Sequence, residues 1–197
     1  WHPKLTRPTD DIDPEMSLKD PFGSGILIEL KPVESLDLEA EEFAISILAA
    51  GTRDAIGRLA ASHLCRSYDR VLLISLRGQM GAAWIVAAGD EQRVLKEIRV
   101  DTGSVAAFSP LPRGQAYLGP MNVRDDSARA ELESVLGGAL AASAIVFPVY
   151  GDERQIATVY CDNGPDETSC LDEIRLCTTR TLLEDALYRL VQSRGWH

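Results

Sequence analysis

Two hairpin-like patterns dominate the distribution of apolar and polar positions along the chain. In the first, the apolar runs Val71–Leu76 and Ala82–Ala88 are joined by the glycine-containing segment RGQMG. In the second, the runs Ser143–Tyr150 and Gln155–Cys161 flank the polar turn GDER. Apolar runs separated by a short turn are typical of antiparallel strands, so we predict both hairpins, and a further strand at Lys96–Val100.

Apolar residues at helical spacing precede, separate and follow these hairpins. Within residues 36–69 this spacing is interrupted by Gly51, which predicts either two helices or one helix kinked there. A short helix is predicted to end at Gly137, with Asp125 or Ser127 as its N-terminal cap. Strands joined by hairpins pair antiparallel, so the pattern predicts an α+β domain with its helices on one face of the sheet.

The last helix is predicted to start after Thr168 or Ser169, and Ser169 with Asp172 has the spacing of a capping box. Four leucines form one stripe along it: Leu176, Leu183, Leu187 and Leu190. Further apolar positions widen this stripe beyond what a single contact requires. We therefore predict that the leucine stripe forms an interface, either with a second copy of the chain or with another protein.

The two ends of the chain and one internal segment lack regular patterning. Residues 1–35 hold five prolines among acidic residues, which predicts a linker or docking tail, although GILIEL at 25–30 could add an edge strand. Residues 101–123 hold three prolines and three glycines and are predicted to form an irregular connection. The predicted domain spans 36–193, with a short tail at 194–197. Because the first residue is Trp1 and not Met, we expect that the chain is a fragment, that it has been processed, or that further residues precede it.

Composition and charge narrow the classes of function. A chain of 197 residues with 45% apolar and 25% charged residues has the composition of an ordinary globular domain. Its formal net charge of −10 leaves no basic footprint for phosphates, so nucleic acid and anionic membrane are poor partners. No apolar run approaches the roughly 18 to 20 residues of a membrane span, and no signal-peptide pattern opens the chain. We expect a cytoplasmic protein without membrane insertion.

Four segments resemble the GAF domains of bacterial signalling proteins. They are the hairpin VLLISLRGQMGAAWIVAAGD, the crossing segment GQAYLGPMNVRDDSARAELESVLG, the hairpin AIVFPVYGDERQIATVYCDNG and the C-terminal helix. The resemblance implies a central antiparallel sheet of about five to six strands, with helices on one side and a pocket on the other, roofed by the irregular connection. It also implies that the domain binds a small molecule or pairs through its terminal helices.

A small-molecule site needs apolar and aromatic walls with a few polar groups. Five residues in or near the connection fit this description: Trp84, Phe108, Arg113, Tyr117 and Asn122. Two of them, Trp84 and Phe108, are equally compatible with an ordinary core. The chain has no clear match to the Asn-Lys-x-Phe-Asp-Glu pattern of cyclic-nucleotide-binding members. It also has no cysteine within 101–123, where phytochrome-like members attach a bilin, and we predict no bound cofactor.

The sequence offers few candidate catalytic residues. Cys161 ends a predicted strand and is either a core residue or a working thiol, and we favour the core because free cysteine behaves as a small apolar residue. Members of the family that reduce methionine sulfoxide carry clustered cysteines, and only Cys161 lies near the expected pocket. His63 is the one histidine of the predicted domain, too few for a catalytic triad or a multi-histidine metal site. We predict no catalytic residue and no metal.

The leading hypothesis is a non-catalytic GAF-like regulatory module that dimerises or docks a protein partner. The alternative is a sensor that binds a small molecule beneath the connection at 101–123. A thiol-dependent reductase using Cys161 is a third hypothesis, which would require that thiol to be reactive.

Overall fold

The structure is a computed structural model, and it describes residues 25–33, 35–77, 80–95, 99–101, 104–108 and 110–193. The strands are β1 (Ile26–Glu29), β2 (Arg70–Arg77), β3 (Met80–Ala88), β4 (Glu91–Val94), β5 (Arg99–Asp101), β6 (Gln115–Gly119), β7 (Ala144–Gly151) and β8 (Arg154–Asp162). The helices are α1 (Leu38–Ala49), α2 (Arg53–Leu64), α3 (Asp126–Leu136) and α4 (Glu173–Ser193). A 3-10 turn, Ala106–Phe108, lies between β5 and β6.

These strands form one antiparallel sheet in the order β1-β6-β7-β8-β2-β3-β4, and β5 pairs with β3 alongside β4. Both predicted hairpins form, as β2–β3 and β7–β8. They meet at the β2–β8 pairing, where Val71 lies across from Cys161 and Ser75 across from Ala157. The two strongest apolar patterns of the sequence therefore build the centre of the sheet.

The described residues contribute eight strands to the sheet, more than the predicted five to six. β1 comes from GILIEL, which pairs with β6 at the edge of the sheet. β6 lies inside the segment predicted to be irregular, where its short apolar run stands between prolines. β4 follows the turn at Gly89, and β5 overlaps the end of the strand predicted at 96–100, of which residues 96–98 lie outside the described part.

Two cores lie on opposite faces of the sheet. The helix-face core is formed by α1, α2 and α4 against the strands, with Phe43, Ile56, Leu73 and Leu183 among its buried residues. The connection-face core is covered by α3 and by the segment between β5 and β6; its buried residues include Leu72, Ile74, Phe108, Leu111, Tyr117, Leu132 and Tyr160. The predicted fold class is confirmed, with α3 as the one described helix on the second face. It lies there because the apolar side chains on that face also need cover.

Side chains at the helix ends explain where the helices begin and stop. The interruption at Gly51 separates two helices, because Thr52 caps α2 through a hydrogen bond of 3.2 Å from the backbone N–H of Ala55 to its hydroxyl oxygen. Asp125 caps α3, and Gly137 ends that helix in the left-handed conformation, with φ at 76°. The sequence therefore marks the boundaries of both helices correctly.

The start of α4 differs from the prediction. Asp172 caps the helix, because its Oδ1 accepts a hydrogen bond of 3.0 Å from the backbone N–H of Arg175. Ser169 instead donates its hydroxyl to the carbonyl oxygen of Ser143 at 2.8 Å. The predicted cap at Thr168 or Ser169 is therefore wrong, since Ser169 ties the segment before α4 to the start of β7.

Candidate functional site

The face of the sheet where a ligand pocket was expected is filled by side chains. Phe108 and Tyr117 are each 1% exposed and belong to the connection-face core. The ring of Phe108 meets that of Tyr160 edge to face, with centroids 6.4 Å apart. The hydroxyl of Tyr117 donates to the carbonyl oxygen of Pro120 at 2.6 Å. These two predicted ligand residues share one cluster, and its contacts are with the domain itself.

Trp84, the third predicted aromatic residue, lies on the opposite face. Its indole N–H donates to Oδ1 of Asp54 at 3.0 Å, and the guanidinium of Arg53 lies 4.2 Å from the centre of its ring. Trp84 lines a groove of about 780 Å³ between the start of α2 and the β3, β4 and β5 strands. The structure therefore separates Trp84 from Phe108 and Tyr117 by the thickness of the sheet.

The two polar residues of the predicted ligand set are exposed. Asn122 lies at the surface before α3. The side chain of Arg113 is 59% exposed and forms an ion pair of 3.2 Å with Glu184 on α4. Of the five predicted residues, only Phe108 and Tyr117 are brought into one cluster. The ion pair between Arg113 and Glu184 could not be predicted, because nothing in the sequence pattern relates position 113 to position 184.

The leucine stripe of α4 faces the inside of the domain. Leu176 and Leu183 are fully buried, Leu187 is nearly so, and Leu190 packs partly buried against the helix-face core. An interface through these side chains would require α4 to leave the sheet. The sequence shows which side of α4 is apolar, but it does not show whether that side meets the chain's own strands or another molecule.

Other apolar side chains of α1 and α4 point to solvent. They are Leu38 and Ile45 on α1, at 73% and 72% exposure, and Ile174, Tyr188 and Val191 on α4, at 62%, 48% and 49%. Leu38 and Ile45 stand about two turns apart, which keeps them on one side of their helix, and about four turns separate Ile174 from Tyr188 in the same way. We call these five residues the exposed helical face.

A polar network joins the helices that carry this face. The guanidinium of Arg175 on α4 binds Glu39 on α1 and, at 3.2 Å, Asp172. The hydroxyl of Ser67, just after α2, donates to the same Asp172 carboxylate at 2.7 Å. Hydrogen bonds from Arg175 and Arg66 lower the pKa of Glu39 to about 2. The network therefore fixes the start of α4 against α1 and the end of α2.

His63 on α2 belongs to the same network and has a structural role. Its ring stacks on that of Phe43 with centroids 4.1 Å apart, and its Nδ1 lies 3.3 Å from Arg175. Burial and the nearby positive charge of Arg175 lower the pKa of His63 to about 4, so the ring is neutral near pH 7. Because a guanidinium only donates, Nδ1 accepts from Arg175 and Nε2 holds the proton.

Cys161 is fully buried in the helix-face core. Burial raises the pKa of its thiol well above the ordinary value, and burial likewise raises the pKa of Cys65 to about 11. A thiol of this kind forms little thiolate at neutral pH and is a weak nucleophile. The prediction that Cys161 is a core residue is confirmed. All four cysteines, which also include Cys170 and Cys177, are free.

A buried ion pair closes one end of the connection face. Nε of Arg70 on β2 lies 2.7 Å from Oδ1 of Asp162 on β8, and the hydroxyl of Tyr160 donates to the other carboxylate oxygen. Arg70 also donates to the carbonyl oxygen of Ala139 at 3.0 Å. Nε and Nη1 of Arg70 therefore have partners, whereas its buried Nη2 has none within the described part of the chain. These contacts hold the loop after α3 to the ends of two central strands.

Comparison with known proteins identifies the fold. Neither a protein-family model nor a curated protein matches the sequence. Among solved structures, the GAF domain of a phosphoenolpyruvate-protein phosphotransferase from Acinetobacter matches with a TM-score of 0.59 at 10% identity, over 80% of this chain and 94% of that one. Residues 122 to 287 of a methyl-accepting chemotaxis protein match with a TM-score of 0.58 at 17% identity, over 78% of this chain and 99% of that one.

A third similar structure is the phycoerythrobilin-bound GAF domain of a cyanobacterial phytochrome, with a TM-score of 0.52 at 13% identity, over 81% of this chain and all of that one. This chain has the fold of GAF domains, which confirms the resemblance drawn from its hairpins and terminal helix. At these identities the likeness establishes the fold alone. No helix in the described part of the chain combines the length and apolarity needed to cross a bilayer.

Proposed function

We propose that this chain is a non-catalytic regulatory module of bacterial signalling that dimerises, or docks a protein partner, through its exposed helical face. The observation that carries the proposal is the exposure of five large apolar side chains on α1 and α4. Exposed apolar side chains gain free energy when another protein covers them, and α1 and α4, which carry these five, pack against each other. The inward stripe of α4 stays buried in the meantime, so pairing requires no opening of the domain.

The polar network supports this proposal by holding the two helices in one arrangement. Glu39 near the start of α1 binds Arg175 near the start of α4, so the two helices begin side by side. A surface that is ordered before binding loses less conformational entropy when a partner covers it. The network therefore favours a rigid contact surface.

Self-association of the purified chain tests the proposal. We expect Ile45→Glu and Tyr188→Glu to weaken dimerisation by about tenfold or more, because each places a charge in a contact that excludes water. Analytical ultracentrifugation from micromolar to millimolar concentration would measure it. The matched control is Met80→Glu, an exposed apolar residue on β3 outside this face. A wild-type chain that stays monomeric throughout, or a control that weakens association equally, would overturn the dimer.

A second candidate function, small-molecule sensing beneath the connection, draws support from the bilin-bound GAF domain of similar fold. Here Phe108 and Tyr117 already pack in the connection-face core, so a ligand would have to displace side chains. Incubation with phycoerythrobilin should then raise the melting temperature, since a ligand that binds only the folded state stabilises it. An unchanged melting temperature and an unchanged pigment spectrum would count against binding of this pigment.

The state of Cys161 argues against the reductase hypothesis. Its thiol is buried, and burial raises its pKa well above the ordinary value. A thiol in this state is a weak nucleophile.

A further inference from the structure

We propose that four residues form a latch through which the connection face of the sheet controls the position of α4. The latch consists of Leu111, Arg113, Tyr150 and Glu184. The inference rests on the proposed function in one respect, since α4 carries part of the exposed helical face. It also gives Arg113 a role, as a residue that links two elements of the domain.

Glu184 is the part of the latch that lies on α4. Its side chain is 12% exposed, and each of its carboxylate oxygens has a different partner. Oε2 accepts from the guanidinium of Arg113 at 3.2 Å, and Oε1 accepts from the backbone N–H of Tyr150 at 2.8 Å. One carboxylate on α4 therefore holds both the turn before β6 and the end of β7.

Tyr150 and Leu111 carry the link to the other face of the sheet. The hydroxyl of Tyr150 donates to the carbonyl oxygen of Leu111 at 2.7 Å. The side chain of Leu111 is 1% exposed and lies in the connection-face core, two residues before Arg113. The same short stretch of backbone thus anchors in one core and reaches the helix that covers the other.

Two further contacts keep this turn in place. The second arm of the Arg113 guanidinium donates to the carbonyl oxygen of Asp152 at 3.3 Å. One turn before Glu184, the buried side chain of Arg180 lies so close to Gly114 that an added Cβ there would be 3.3 Å from its Nη1. Gly114 also has φ at 84°, which favours glycine. The turn is therefore in contact with α4 at two successive turns of the helix.

Glu184 is bonded both to Arg113 in the turn and to the backbone of Tyr150. A displacement of the turn therefore shifts Glu184, and with it the half of α4 that carries Tyr188 and Val191. An exposed ion pair alone would contribute little to such coupling. Here the backbone bond from Tyr150 and the hydroxyl bond to Leu111 add contacts that solvent screens less. A change of packing in the connection-face core is thereby transmitted to the exposed helical face.

The test compares two equal losses of packing in one core. Leu111→Ala and Leu132→Ala each remove a leucine that is 1% exposed in the connection-face core, but only Leu111 belongs to the latch. We expect hydrogen exchange at the amides of residues 184–190 to be at least about fivefold faster in Leu111→Ala than in Leu132→Ala. Equal exchange in the two variants would overturn the latch. If either alanine variant fails to fold, the Leu→Val pair makes the same comparison.

The same comparison, repeated in a chain that carries a second substitution, separates coupling through the latch from simple loss of stability. In Arg113→Gln, which removes the ion pair, the excess effect of Leu111→Ala on residues 184–190 should shrink at least about threefold. Arg129→Gln, a change of the same kind on the exposed surface of α3, should leave it intact. An undiminished effect in Arg113→Gln would contradict the latch. All these experiments use exchange within one molecule, so a failure of dimerisation would leave their outcome unaffected.

Discussion

The two faces of the sheet are covered in different ways. The helix face is covered by α1, α2 and α4, whose apolar residues recur at regular helical spacing. The connection face is covered by one short helix and by a segment rich in proline and glycine. Both faces nonetheless bury apolar side chains fully, as Leu72 shows on the connection face and Leu73 on the helix face. Regular patterning is therefore not needed to close a core.

Charge is distributed differently on the two faces as well. On the helix side, the network around Arg175 lies at the outer ends of the helices and is partly exposed. On the connection side, the pair of Arg70 and Asp162 is buried and tied to Tyr160. The helix side also holds His63, whose pKa is lowered by burial to about 4. The helix face should accordingly lose stability as the pH falls below neutral.

Removing one buried leucine side chain from each core should have a large effect on stability. It tests whether the two cores are packed equally. Leu72→Ala and Leu73→Ala change neighbouring residues of β2 that point to opposite faces, each with no exposed surface. We expect each variant to lower the free energy of unfolding by about 3 kcal/mol, the usual cost of removing a buried leucine side chain. Urea denaturation would measure both.

The same two variants also test whether the connection face is prepared to hold a ligand. A face prepared to hold a ligand tolerates the loss of a side chain better than a filled core, because the cavity left behind is not a new defect. A cost for Leu72→Ala below about 1 kcal/mol, beside a normal cost for Leu73→Ala, would show an under-packed connection face and favour the sensor.

The sequence could predict the helix face better than the connection face, and the reason is physical. Hairpins and helices carry local signals, such as the turn GDER and the cap at Thr52, so β7, β8 and α2 are found from pattern alone. β6 is missed because its strand pairs are distant in sequence: Tyr117 lies across from Val146 and Leu118 across from Ile145. Prolines on both sides of a short run hide such a strand.

The candidate site was harder to predict for the same reason. Whether the stripe with Leu183 or the side with Tyr188 meets solvent depends on how α4 is rotated against the sheet, which no local pattern reveals. The partnership of Arg113 with Glu184 joins residues far apart in the chain. By contrast, the burial of Cys161 follows from its place at the end of an apolar run, and that prediction is confirmed.

The free energy of unfolding should also depend on pH, through His63 on the helix face. The pKa of His63 falls from its ordinary 6.5 to about 4 in the folded chain, so between these values the unfolded chain binds the proton more readily. The stabilisation is complete above pH 6.5 and is lost as the pH falls toward 4. We expect the free energy of unfolding to drop by roughly 2 kcal/mol between pH 7.5 and pH 5.

Urea denaturation at several pH values would measure this drop, with His63→Gln as the comparison. Glu39 has a lowered pKa of about 2, and its contribution is lost only in more acidic solution, from pH 4.5 downwards. The window above pH 5 therefore reports mainly on the histidine. A His63→Gln variant that loses as much stability as the wild type in this window would show that other groups govern the pH dependence.

Removing one helix cap on each face should have a small effect, and it tests whether the two faces unfold separately. Thr52→Ala removes the cap of α2 on the helix face, and Asp125→Ala removes the cap of α3 on the connection face. Each should cost about 1 kcal/mol, and hydrogen exchange should quicken mainly in the helix that loses its cap. If either variant instead quickened exchange equally in α2 and α3, the two faces would form one cooperative unit. In that case the two faces would open together. The difference in how they are covered would then not divide the domain into parts that unfold separately.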